Sequence, residues 1–411
     1  MEHFSVRKKR SEEKSFFTRD LRDALEVCEF IPNRLYFATF KSKRILKDTD
    51  DTHFFNTDDL LVYTNFFMDF GPLNLAKLYR FCRLLYGKLR LNILSKKKIV
   101  YWTILTSHKR TNAAFLIGSF AVILLDMSPK EAMAILLNTN YKYPPFNDAN
   151  MGGATGIYTI RLNDCLSGVN KAFYFNLVNF ADFDLTEYES FEGANPHSEG
   201  DLSWIVPQKL LAFAGPCGER NGNWPVEVYL GYFKERNVYT VVRLNKSRYD
   251  SKRFTSHGID HYDLIFPDGS TGCLIGIYLM KHYRMTATEA IAWMRICRPG
   301  CVIGQQQTWL EAKQSWAWKQ GDAYRERMYG SSEKVRQHKY GVYSIKGKSV
   351  SVRNSTEAER MEKFSKVRDR ISKRRTSQDD NDEMFKRTQG DLLVAARSAN
   401  VSKSKTRRVH P

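Results

Sequence analysis

The chain has 411 residues, 42% hydrophobic and 13% aromatic, which suits two or three domains with ordinary cores and excludes a wholly disordered protein. Its net charge of +19 is uneven: residues 331–411 carry 21 Lys and Arg against 10 Asp and Glu, leaving only +8 on the rest. The basic character therefore belongs mainly to a tail, which argues against nucleic-acid binding by the folded part.

In chain order, the N-terminal stretch MEHFSVRKKRSEEK lacks the apolar core of a secretory leader. "RLYFATF" (Arg34–Phe40) and "KKIVYWTIL" (Lys97–Leu105) are β-branched and aromatic and predict strands. Between them, "LNLAKLYRFCRLLYGKL" (Leu73–Leu89) has the three- and four-residue apolar spacing of an amphipathic helix. The most apolar run, Phe115–Leu125, is too short for a membrane span and suits a buried helix. Residues 180–201, acidic and then rich in Gly, Pro and Ser, predict a linker. A second mixed α/β segment follows to about Gly330, and the tail beyond has few large apolar residues and is expected to be disordered. Seven cysteines, at 28, 82, 165, 217, 273, 297 and 301, form no CxxC pair. Free thiols in a reducing compartment are expected, with neither a disulfide framework nor a metal centre.

The chain repeats itself. "LIGSFAVILLDMSPKEAMA" (Leu116–Ala134) aligns without gaps on "LIGIYLMKHYRMTATEAIA" (Leu274–Ala292). Each predicts a helix, a break, and a second helix opened by a capping box, Ser128 with Glu131 and Thr286 with Glu289. Upstream, "NFFMDFG" (Asn65–Gly71) resembles "DLIFPDG" (Asp263–Gly269), an apolar strand and an acidic turn. In the first copy 44 residues separate Gly71 from Leu116, and in the second only the four residues 270–273 separate Gly269 from Leu274. Helix, strand and loop are absent from the second copy, judged against the first.

Reactive groups in α/β folds sit where a strand's C-terminal end meets a helix N-terminus, with its free amides and positive dipole end. A cysteine phosphatase places its nucleophile in such a loop, HCxxGxxR. No such loop precedes Thr271-Gly272. The literal Cys-x5-Arg, Cys28–Arg34, lacks glycines and contains Pro32, so it is not expected to act. Asp268 is either a general acid or a turn aspartate before glycine. Gln305, Gln306 and Gln307 either orient a water or cap a helix. Asp182, Asp184, Glu187, Glu189 and Glu192 either receive a basic peptide or form a solvated face.

Taken together, "RLYFA", "DFGPLNLAKLYRFC", "RTNAAFLIG", "DCLSGVNKAF", "WIVPQKLLAFAGP", "DLIFPDGST", "YLMKHYRMTATEAIAWMRICRPG" and "VIGQQQTWLEAKQ" closely resemble the cell-division-cycle dual-specificity phosphatases of mitotic exit, in order over about residues 20–325. The resemblance implies an α/β fold of two tandem phosphatase-like domains, of which only the second is catalytic. The expected layout is residues 1–180, a linker at 181–203, the second domain at 204–330 truncated between 270 and 273, and the disordered basic tail at 331–411. It also implies that Asp268 is the general acid, that Gln306 and Gln307 handle the attacking water, with Gln305 replacing a usual proline, and that Asp182, Asp184, Glu187 and Glu189 line a groove for a basic residue. Expected partners are cell-cycle proteins carrying phosphoserine-proline with a basic residue downstream, met in nucleus and cytoplasm, at spindle or centrosome; no metal, cofactor or membrane is implied. Family members carry a helix, a strand and a loop resembling HCKAGLGRTG after FPDGST, and about thirty residues of that pattern are missing here. The chain as written is therefore expected to lack the nucleophilic cysteine and phosphate-binding arginine. The alternative is a genuine pseudophosphatase that binds or scaffolds.

Overall fold

The computed structural model describes residues 19–65, 69–139, 141–149, 158–193, 199–216, 224–264 and 271–348. The first half is built on a four-stranded sheet of order β1-β2-β4-β3: β1 (Glu26–Ile31), β2 (Leu35–Phe40), β3 (Thr52–Phe55) and β4 (Lys98–Ile104). β1 and β2 form an antiparallel hairpin, and β4 runs parallel to both β2 and β3. Alternation along β2 and β4 splits their side chains between two layers. Leu35, Phe37, Ile99 and Tyr101 enter the main core, while Tyr36, Ala38, Phe40, Val100 and Trp102 enter a smaller core on the other face. Residues covered on both faces explain why the sequence here reads as continuous apolar runs.

Helix α1 (Leu75–Arg90) starts where the Asn74 side chain accepts from the Lys77 amide and ends with basic Lys88 and Arg90, as the helix dipole favours. β4 feeds α2 (Ser107–Leu124), followed by α3 (Pro129–Leu137). Short strands β5 (Phe146–Asn147) and β6 (Thr159–Ile160) pair before α4 (Leu162–Tyr174) and the linker helix α5 (Leu185–Ser190).

In the second half β7 (Leu202–Val206) and β8 (Leu210–Phe213) form an antiparallel hairpin. Helix α6 (Glu227–Glu235) precedes β9 (Thr240–Arg243) and β10 (Asp260–Asp263), which pair in parallel. These are two separate two-stranded sheets, and among the described residues no strand lies between them. α7 (Thr271–Tyr283), α8 (Ala287–Cys297) and the long α9 (Gln305–Tyr329) follow.

Both predicted capping boxes are formed, Ser128 with Glu131 and Thr286 with Glu289. The break between the helices falls on equivalent residues of the repeat, Asp126 (φ 56°) and Arg284 (φ 50°), each in the left-handed region. α4 and α8 pack so closely that a Cβ on Gly168 would lie 2.9 Å from the Glu289 carbonyl oxygen. One apolar core therefore runs from the first sheet through α4 and α8 to α9.

The folded chain continues through residue 348, past the tail boundary expected at 330. Its backbone is tied to the end of the first half and the linker: Val342 N–H donates to Leu177 O, Asp184 N–H to Tyr343 O, and Ile345 N–H to Asp182 O. Val342 and Tyr343 are buried, and the Tyr343 hydroxyl accepts from Trp204 N–H at 3.0 Å. Two apolar side chains within a basic stretch thus fix a segment that composition assigns to the tail. Residues 349–411 lie outside the described chain, as do the acidic turn at 265–270 and residues 66–68 of the first copy's turn segment.

Candidate functional site

The strand-to-helix junctions of the two repeats are where the fold would hold an anion, and they differ. In the first half β4 leads into the N-terminus of α2 through Leu105 and Thr106, with no cysteine in TSHKRTN. Its arginine is already committed. The Arg110 Nε and Nη2 donate to Glu26 Oε2 at 3.0 and 2.7 Å, both side chains are buried, and the Tyr143 ring centroid lies 3.9 Å from the guanidinium carbon. Lys109 pairs with Asp59 at 2.9 Å, and Asp58 accepts from Thr103 and from the Ile104 amide at the end of β4. Among the described residues, both basic side chains of the junction are thus paired with carboxylates.

In the second half the corresponding position is the start of α7. Gly272 faces Val302 and Gln306: a Cβ there would lie 2.9 Å from the Val302 side chain and 3.0 Å from Gln306 Oε1. Gln307, at 0% exposure, donates through Nε2 to Asp148 Oδ2 (2.8 Å) and Val302 O (2.9 Å). Gln306 is half-buried and Gln305 exposed. Asp268, the expected general acid, lies outside the described residues. Arg295 is buried and donates to the carbonyls of Cys301 and Val302, holding the turn that leads to the glutamines.

A nucleophilic cysteine must reach the thiolate. Burial pushes all six cysteines among the described residues the other way. Cys273, inside α7, is pushed up to about 11 by burial alone. Cys28, on β1, is pushed up to about 12 by burial and by Glu26, while Arg34 spends its guanidinium on the carbonyls of Leu89, Leu94 and Lys97. Cys28 and Arg34 therefore form no anion-binding loop. Among the described residues no group of His, Cys, Asp and Glu side chains is placed to hold a metal ion.

The acidic linker residues diverge from α5 in several directions. Asp182 accepts from the Ser344 hydroxyl at 2.5 Å, and Asp184 caps α5 by accepting from the Glu187 amide at 3.0 Å. Glu187 is buried, pairs with Arg236 at 2.5 Å and accepts from the Tyr232 hydroxyl at 2.7 Å. Glu189 faces the first half, where Arg80 Nη2 donates to both its carboxylate oxygens at 2.6 and 2.8 Å, and Glu192 accepts from the Asn74 side-chain amide. Charge composition revealed these acids; their partners, up to 162 residues away, carry no local signal. Asp148 was likewise invisible, since its contacts with Gly304 and Gln307 span 156 and 159 residues.

The described residues form a mixed α/β fold, and residues 29–172 match the family described as "Dual specificity protein phosphatase, N-terminal half". Zebrafish (Danio rerio) dual specificity protein phosphatase CDC14AB is 47% identical over 350 aligned residues, covering 76% of this chain and 56% of its own. Human CDC14A is 45% identical, covering 74% and 57%, and mouse CDC14B is 38% identical, covering 91% and 81%. The chain belongs to the CDC14 dual-specificity phosphatase family, a cell-cycle family. It spans little more than half the length of the CDC14AB and CDC14A relatives. Among the described residues no helix is long and apolar enough to cross a membrane.

Proposed function

We propose that this chain is a form of a phosphoserine-proline-directed cysteine phosphatase from which an internal block carrying the catalytic loop has been lost, by splicing or in the reading of the gene, and that it does not hydrolyse phosphoesters. The observation that carries the reading is the split second sheet. The hairpin β7–β8 and the pair β9–β10 stand apart where β4 joins the equivalent elements of the first half. The break lies at the point where the chain's own repeat is 40 residues short. Further support comes from alignment lengths. The 76% of 411 residues used in the zebrafish alignment is about 312, so about 38 of its 350 positions have no residue of this chain. The parent activity would use Asp268 as general acid, with the glutamine segment handling water. Its substrates would be phosphorylated cell-cycle proteins of nucleus and cytoplasm, at spindle or centrosome, with a basic residue near the phosphosite.

A second reading, a binding protein without catalysis, is favoured by one feature. A cleft of about 340 Å³ opens between α5 and α6, lined by Glu187, Glu199 and Glu235 against the single Arg236, with Phe191 and Tyr232 as its aromatic wall. This would suit a basic side chain. The two readings share one test. The purified chain is assayed on an aryl phosphate and on a phosphoserine-proline peptide beside a Cys28→Ser, Cys273→Ser double variant. No difference is expected, because nucleophile and oxyanion donors are each worth orders of magnitude in rate. Turnover above the double variant would overturn the proposal. A longer transcript across the codons for Ser270 to Cys273 would decide for the first reading over the second.

A further inference from the structure

We infer that Asp148, in the first half, is a positioning residue for the glutamine segment of the second. Gln307 is its structural partner, and Gln306 is the glutamine that faces the candidate site. The role given to Gln306 rests on the proposed function; the role of Asp148 does not.

α9 runs for 25 residues, yet Gly304 at its N-cap has no side chain to cap it. Gly304 sits at φ 60°, ψ −132°, a region that a side chain would strain. The first amides of a helix lack partners, and its N-terminus favours negative charge. Asp148 supplies both needs from across the molecule. Its Oδ2 accepts from the Gly304 amide at 3.1 Å and from Gln307 Nε2 at 2.8 Å. Asp148 is 7% exposed, and its backbone follows β5, which is fixed by pairing Phe146 with Ile160 and Phe70 with Asn147. The cap is therefore carried on a rigid element.

This arrangement divides the glutamines. Both N–H bonds of the Gln307 amide are spent, on Asp148 and on Val302 O, and the side chain is fully buried. It has no proton left to give a water. Gln306, one position earlier and about 100° around the helix, places its Oε1 beside Gly272 at the start of α7. The first half of the molecule thus sets the geometry of the second half's glutamines.

The test uses the full chain and needs no turnover. Amide exchange at Gly304 and the side-chain amide resonance of Gln307 are measured by NMR for the parent, Asp148→Ala, Asp148→Asn and Gln306→Ala. In Asp148→Ala, Gly304 should exchange about tenfold faster or more, as loss of a charged acceptor worth about 1.5–3 kcal/mol requires. The Gln307 resonance should move, and Val100 in β4 should exchange at its old rate. Asp148→Asn keeps an oxygen acceptor and should regain part of the protection; it is also the variant to read if the alanine form does not fold. Gln306→Ala should leave Gly304 unchanged. Unchanged exchange at Gly304, or acceleration shared equally with Val100, would overturn the inference. Turnover by this chain would sink the proposed function and leave the Asp148 assignment standing.

Discussion

β2 and β4 of the first half are buried along nearly their whole length, whereas β10 of the second has Asp260 and Asp263 exposed and His261 and Tyr262 half-covered. Both halves have an antiparallel hairpin, a parallel neighbour and a capped helix pair; among the described residues they differ in whether a strand joins hairpin to neighbour. In the first half β4 brings Val100, Tyr101 and Trp102 into two cores at once. Full burial of each such side chain is worth about 1.5–3 kcal/mol, so one central strand contributes on the scale of a whole domain's net stability, about 5–15 kcal/mol. The second half is left with a small cluster around Tyr229, Phe233 and Phe254, while α7 and α8 draw their burial from the first half's core. The comparison teaches that helices and the hairpin strand β7 can stay packed when a neighbouring core covers them, while the β9–β10 pair is left partly uncovered.

The largest expected effect follows directly. Under limited proteolysis β8 to β10, residues 210–263, should be cut early, and a fragment of about residues 20–180 should resist. Equal resistance of the two halves, or one cooperative melt at ordinary mesophile temperature, would show that the second sheet has closed on itself. The comparison would then fail.

Ion pairs sharpen it at the next level. Glu26 and Arg110 are buried together in the first half, and Glu227 and Arg253 pair on the surface of the second. Glu26→Ala leaves a buried guanidinium without its partner and should cost about 3–5 kcal/mol. The exposed pair should be worth no more than about 1 kcal/mol. Urea melts of Glu26→Ala and Glu227→Ala would check the ranking. A small effect at Glu26 would mean that Lys142 O and Tyr141 O, which also accept from Arg110, hold it without the carboxylate.

The parts of this comparison that were legible in the sequence are those with local causes. β2 and β4 declare themselves through covered apolar runs, α1 through its periodicity, and the repeat through paired caps and equivalent break residues. Contacts made between distant segments were not legible. Glu189 looks like one more solvated acid until Arg80 is seen 109 residues away, and residues 331–348 look like tail until Tyr343 is seen against β7. The glutamine segment was found, but its division into a buried partner and a half-buried one depends on Asp148, which no spacing connects to it.

Acid should separate the halves further. Burial, aided by Lys281 and Arg325, pulls His282 down to about 4; burial, with Arg336 and Lys209, does the same to His338. Both lie in the second half or in the segment that closes it. A histidine whose folded pKa is below its unfolded value, about 6.5, binds its proton first in the unfolded chain. The stability it contributes is complete above about pH 6.5 and is lost as pH falls toward 4. The melting temperature should therefore drop between pH 7 and 4.5, with the second half leading. His282→Phe keeps ring packing against Tyr278 and Tyr324 while removing the titration, and should flatten part of that slope. An unchanged slope would place the acid response elsewhere.

The smallest difference should come from the repeated caps, because their local chemistry is the same. Ser128→Ala removes an exposed hydroxyl that accepts from the Glu131 amide at 3.3 Å, and water can replace it; about 1 kcal/mol or less should be lost. Thr286 is half-buried, its oxygen accepts from the Glu289 amide at 3.1 Å, and Glu289 is itself buried. Thr286→Ala leaves that amide with less access to water, so the loss should approach about 2 kcal/mol. Glu289 also accepts from Lys171 Nζ of α4 at 2.6 Å, so the second cap lies in the joint between the halves and the first does not. Lys171→Met should therefore weaken the second cap and leave the first alone, read as a smaller penalty for Thr286→Ala in its presence. If the two alanine variants cost the same with and without Lys171, the caps act as isolated helix ends, and Lys171 plays no part in the second one.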